Sequence, residues 1–226
     1  MRVLLLPGMD GTGRLFGAFQ RAVAPGLEPT VVGYGDAIEH DDLMRCVPTS
    51  SEPIALVAES FSGPLAVKLA ESGRFSNLRA VVLVASFLRP PRTIPWWIAG
   101  VIRPVLFKLK PPRAFLRWAL LGSDTPDEQV AELQATIASV SPTILAARLR
   151  SIVSLDVSEA FARSRVPTLY IRGLRDRLVP PSVLEEMVRL RPDLEHETLD
   201  APHLVLQRCP VESARLVSSF LLRFIE

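Results

Sequence analysis

The sequence predicts the α/β class: a mostly parallel open sheet of about six strands, helices on both faces, and a small helical insertion. Three observations carry this expectation. Short β-branched and aliphatic runs recur with helix-length segments between them, most of the runs are apolar almost throughout, and one stretch from about 88 to 160 breaks the alternation. Near-continuous apolar runs suit strands covered on both faces, whereas an alternating run suits an edge.

Six runs fit, in order Arg2 to Leu6, Thr30 to Tyr34, Ile54 to Ala58, Ala80 to Ala85, Thr168 to Arg172 and Leu194 to Leu199. The last alternates with charged residues and is placed at the edge of the sheet. Between the fourth and fifth runs prolines cluster at 90, 91, 95, 104, 111 and 112, and helical periodicity follows from Asp127 to Leu155. Residues 88–160 therefore read as a helical lid inserted into a single domain whose core is 1–87 and 161–226. Helices packed directly on the sheet are the alternative.

A chain of 226 residues with 48% hydrophobic residues can build one large core. Its 26 basic and 24 acidic residues leave a formal charge of +2, too little to steer it towards nucleic acid. Cys46 and Cys209 are too few for a disulfide framework and lack the clustered spacing of a zinc site, so reduced thiols and a cytoplasmic location are expected. Val3 to Leu6, ahead of Pro7 and Gly8, is too short for a signal-peptide core. The stretch Ile94 to Leu109 is interrupted by Arg103, Pro104 and Lys108 and falls short of the roughly 20 residues that cross a bilayer, so no stable membrane insertion is expected.

The third run leads through Glu59, Ser60, Phe61, Ser62 and Gly63 into a segment with helical character, Pro64 to Leu69. Strand, tight turn and helix in that order can hold the central serine in a strained conformation, provided the positions two before and two after it are small. Ala58 and Ser62 meet that demand. Taken alone, such a serine also fits an ordinary helix cap. A serine nucleophile needs a base, and a carboxylate to orient the base. Of the three histidines, His40 sits in a polar segment and His196 within the charged alternation of the last run, whereas His203 directly follows that run in Asp200, Ala201, Pro202, His203. Asp176 follows the fifth run in Gly173, Leu174, Arg175, Asp176, although a turn residue paired with Arg175 or Arg177 would look the same. Each of the three follows a different strand, where open α/β sheets gather ligands.

After the first run comes Pro7, Gly8, Met9, Asp10, Gly11, Thr12, Gly13. Backbone amides of Met9 and Phe61 could form a two-donor oxyanion hole. The glycines fall in the wrong order for a dinucleotide loop.

Leu6 to Gly13, the Ser60 turn, Gly173 to Pro180 and Pro202 to Gln207 together resemble the α/β-hydrolase superfamily, and the first loop is similar to one in its lipase-like and acyltransferase-like branches. The resemblance implies that fold and serine hydrolase chemistry, with Ser60, Asp176 and His203 in the family's order of nucleophile, acid and base. Two departures stand out: Ala58 and Ser62 replace the usual glycines, and the chain begins at what resembles the family's third strand, which implies a trimmed sheet. The expectation is hydrolysis of a small-molecule ester or thioester without metal or organic cofactor. Trp96, Trp97, Ile98, Val101 and Ile102 of the insertion would line an apolar acyl site. Acyl transfer to an alcohol, and a non-catalytic receptor or scaffold, are the other readings.

Overall fold

The computed structural model describes residues 1–91 and 102–225. Six strands form one sheet in the order β2-β1-β3-β4-β5-β6, every neighbouring pair parallel. They are β1 (Arg2–Leu6), β2 (Glu28–Val31), β3 (Ile54–Glu59), β4 (Leu78–Val84), β5 (Thr168–Gly173) and β6 (Glu195–Leu199).

The period-two alternation of a strand sorts the apolar runs onto two faces. One face carries Leu4, Leu6, Leu56, Ala58, Leu83 and Tyr170 and is covered by α2 (His40–Cys46), α3 (Gly63–Glu71), α7 (Ser158–Arg163) and α8 (Pro181–Leu190). The other carries Val3, Leu5, Val57, Val82 and Ile171 and packs on α1 (Gly17–Ala22), α9 (Val205–Arg208) and α10 (Pro210–Leu221), with Phe19, Val217 and Phe220 filling the interface. Because both faces are covered, β3 is buried along its whole length. The alternating run Glu195–Leu199 is exposed at the edge, as its charges require.

The second strand ends earlier than its sequence suggests. Val32 still donates to the Leu5 carbonyl at 3.0 Å, but from Gly33 the chain follows the loop after β1, where the Tyr34 amide donates to the Gly11 carbonyl at 2.9 Å. The aromatic ring is thereby buried instead of ending an edge strand.

Between β4 and β5 lie a short 3₁₀ turn (Pro104–Phe107), α4 (Arg113–Leu116) running into a π-helical turn (Arg117–Leu121), α5 (Asp127–Ala138), α6 (Pro142–Val153) and α7. The periodicity over 127–155 is broken because Pro142 cannot continue a helix and Ser141 caps a new one, its Oγ accepting from the Thr143 amide. α5 and α6 meet at 93°. The segment divides in two. Leu116, Leu121, Val130 and Leu133 form a small separate core with Leu204, whereas Ile152, Leu155, Val157 and Phe161 join the core against the sheet. Among the described residues no single helix is long and apolar enough to cross a membrane.

Leu56, fully buried in the central strand, should lower stability by roughly 2–5 kcal/mol when cut to Ala, whereas Leu109, 79% exposed, should change it by less than about 0.5 kcal/mol. Urea unfolding of the two variants measures the difference.

Candidate active site

β1 runs between β2 and β3, so the chain leaves β1 to one side and reaches β3 on the other. Such a reversal of strand order opens a crevice at the carboxyl ends of the two strands. The Pro7–Gly13 loop leaves β1 there, and Ser60 leaves β3 there.

The turn after β3 is strained: Ser60 sits at φ +50, a left-handed conformation rare for a residue with a side chain. Neighbours over-determine it. The Ser86 hydroxyl donates to the Ser60 carbonyl at 2.7 Å, and Tyr170 donates to the Ser86 carbonyl at 2.9 Å. Ser62, the substitute for one glycine, is fully buried, its hydroxyl bonded to the Pro7 carbonyl and to the Tyr34 hydroxyl. The glycine that the packing demands is Gly63, where a Cβ would stand 1.7 Å from Ser86 Oγ.

The structure brings Ser60, His203 and Asp176 together. His203 Nε2 lies 2.9 Å from Ser60 Oγ, and His203 Nδ1 lies 2.8 Å from Asp176 Oδ2. Asp176 is itself fixed, because its other oxygen accepts from the amides of Leu178 at 2.8 Å and Val179 at 3.0 Å. A carboxylate at Nδ1 selects the tautomer with its proton on Nδ1, which leaves Nε2 able to accept the serine proton. Asp200, the other acid near His203, instead accepts from Arg175 Nε at 2.7 Å, and its side chain is 75% exposed. His196 lies exposed on β6, opposite Tyr170 in the register.

Ser60, His203, Met9 and Phe61 line one cavity of about 280 Å³ whose walls are almost wholly apolar. From the segment between β4 and β5, Leu120, together with Leu133 and Ile137 of α5 and Leu149 and Ile152 of α6, is among the residues that line it. Trp96, Trp97, Ile98 and Val101 lie outside the described residues. Ile102 does not line the cavity: it is buried elsewhere, and its carbonyl accepts from Arg150 at 3.3 Å. No group of three or more His, Cys, Asp or Glu side chains among the described residues is placed to hold a metal.

Two features escaped the sequence. Arg148 of α6 is wholly buried against the Pro7–Gly13 loop, and Glu59, next to the serine, is buried in the cavity wall. Glu59 Oε2 accepts from Gln207 Nε2 at 3.2 Å, while Glu59 Oε1 and Gln207 Oε1 are both buried without a partner among the described residues. Burial pushes the Glu59 carboxyl up to about 7, with the charge of His203 and the Gln207 bond opposing the rise. One proton on Glu59 could satisfy both orphan oxygens in a paired acid–amide arrangement.

The sequence matches the alpha/beta hydrolase family over residues 3–216, and the chain belongs to that family. No curated protein matches the sequence. Similar folds occur in the enol-lactonase of Burkholderia xenovorans LB400, 16% identical with a TM-score of 0.78 over 98% of this chain and 91% of that one. A thermophilic esterase from Thermogutta terrifontis is 19% identical with a TM-score of 0.77, covering 100% and 91% of the two chains. The bromoperoxidase of Bacillus anthracis, 16% identical, has a TM-score of 0.78 over 99% and 91%. At such identities the likeness establishes the fold, and the chemistry has to be argued from the site.

A carboxyl whose pKa is higher folded than unfolded binds more protons in the folded state, so its contribution weakens as pH rises from the unfolded value of 4.5 through about 7. Wild type should lose about 3 kcal/mol over that window through Glu59, a loss that Glu59→Gln should not share. Urea unfolding of both proteins at pH 5 and pH 8 measures it as the difference between their pH slopes.

Proposed function

We propose that this protein is a serine hydrolase that cleaves a carboxylic ester or thioester of an apolar acyl group through an acyl-enzyme. The observation that carries the reading is the hydrogen-bonded chain Asp176–His203–Ser60 at the floor of an apolar cavity.

The substrate carbonyl would lie against Ser60, with its acyl chain along the apolar walls. His203 Nε2 takes the hydroxyl proton as Ser60 Oγ bonds to the carbonyl carbon, and the carbonyl oxygen takes up the negative charge. The amides of Met9 and Phe61 are the donors assigned to that oxyanion. Asp176 holds the ring and stabilises the imidazolium. As the tetrahedral intermediate collapses, the bond to the leaving oxygen or sulfur breaks and His203 returns the proton to it. Water then attacks the acyl-enzyme, giving its proton to His203, and the acid departs as the proton passes back to Ser60. With Cys46 and Cys209 both free, a cytoplasmic setting suits the chain.

Ser60→Ala should abolish labelling by a fluorophosphonate and lower turnover of p-nitrophenyl esters by about 10⁴–10⁶ while the fold persists. Asp176→Asn should be severely impaired and Asp200→Asn close to wild type. Persistent turnover in Ser60→Ala, or the reverse pattern for the two acids, would sink the assignment.

If α5 forms part of the acyl wall, Ile137→Ala should reduce kcat/KM for octanoate esters more than for acetate esters. Each buried methylene is worth ~0.8 kcal/mol, so the loss of a few contacts should shift the ratio about ten-fold. An unchanged ratio would remove α5 from the acyl site.

A further inference from the structure

The guanidinium of Arg148 is fully buried, yet among the described residues it forms no salt bridge. Its partners are backbone carbonyls from two loops. Nε donates to Ala37 at 3.0 Å, one terminal nitrogen to Met9 at 3.2 Å and Asp10 at 2.9 Å, and the other to Gly35 at 2.9 Å and Ala37 at 2.8 Å. The Tyr34 ring lies beneath it, 5.7 Å from the guanidinium carbon. Burial lowers the pKa, with Asp10 and the other neighbouring acids opposing that shift, and an arginine so placed keeps its charge at neutral pH. The loop is shaped to admit it: Gly11 sits at φ +70, and a Cβ there would stand 2.4 Å from the guanidinium.

Burying an arginine is unfavourable unless its donors are satisfied, and what satisfies these donors also fixes the loop. In a trans peptide the C=O and N–H point in opposite directions, so holding one aims the other. The Gly8 carbonyl accepts from the Gly11 amide at 3.0 Å, which fixes the peptide carrying the Met9 N–H. Arg148 holds the Met9 and Asp10 carbonyls, which fixes the next two peptides. Both peptide planes flanking the Met9 α-carbon are thereby pinned. The Met9 N–H has no acceptor among the described residues, and Met9 lines the same cavity as Ser60.

We propose that Arg148 is a positioning residue for the oxyanion hole: from the inserted helix α6 it clamps the Pro7–Gly13 loop so that the Met9 amide is aimed at the carbonyl attacked by Ser60. The inference rests on the hydrolase reading above. It makes the insertion part of the catalytic apparatus as well as a wall of the acyl site.

The test compares wild type, Arg148→Met and Arg148→Lys on a p-nitrophenyl ester, with active sites counted by end-point fluorophosphonate labelling. The clamp predicts that kcat per labelled site falls about 10²–10³-fold in Arg148→Met while KM moves by less than about three-fold. Inhibition by a trifluoromethyl ketone, whose adduct places an oxyanion in the hole, should weaken by a similar factor. Arg148→Lys, which keeps the charge without the planar fork, should fall between the two and carries the test if Arg148→Met does not fold. A merely structural role predicts fewer labelled sites with unchanged kcat per site, and that result in either variant overturns the proposal alone. A wild type that neither labels at Ser60 nor turns over esters overturns the hydrolase reading, and the proposal with it.

Discussion

The strained turn after β3 is the constraint on which the site depends. A serine at positive φ persists only because the surrounding structure leaves it no alternative. That surrounding structure comes from four directions: the Ser86 hydroxyl beyond β4, the Tyr170 hydroxyl on β5, the Pro7 carbonyl after β1, and the missing side chain at Gly63. Remove the parallel packing of these strands and none of the contacts survives. The turn in turn presents the hydroxyl to His203, a residue that the last strand delivers. The geometry belongs to the sheet as a whole.

Much of this was legible in the chain, because strand ends are marked by strong local signals. Apolar runs bounded by Gly, Pro and Asp gave the strands within a few residues, and in a parallel sheet all carboxyl ends share one edge. Ser60, Asp176 and His203 each follow a strand, and that alone puts all three at the same edge of the sheet. The second strand stops short of Tyr34, a residue with the composition of strand material, and only the Gly11 carbonyl reveals that the chain has turned away.

What was not legible concerns side chains satisfied from far away. In the sequence Arg148 is one more cation in an amphipathic helix, and nothing local tells that its donors meet carbonyls 111 to 139 residues distant. Glu59 reads as a polar neighbour of the serine, and its burial shows only when the cavity is closed by other elements. Trp96 and Trp97 are the conspicuous apolar residues of the sequence between β4 and β5, and they lie outside the described residues. Among the described residues aliphatic side chains of α5 and α6 line the cavity, and helical periodicity does not say which surface a helix covers.

The central place of β1 has a consequence for the time at which the site comes into being. As the first strand of the chain it takes neighbours on both sides, and one of them, β3, begins at Ile54. Ser60 and His203 are separated by 143 residues, and the helix that closes over the first loop is nearly as distant from it. Contacts of such sequence separation form late in folding, after the entropy of closing long loops has been overcome. A chain emerging from the ribosome thus carries its glycine loop, its serine turn and the helices between β4 and β5 before it carries the histidine, and the set is complete only once residue 203 has followed them.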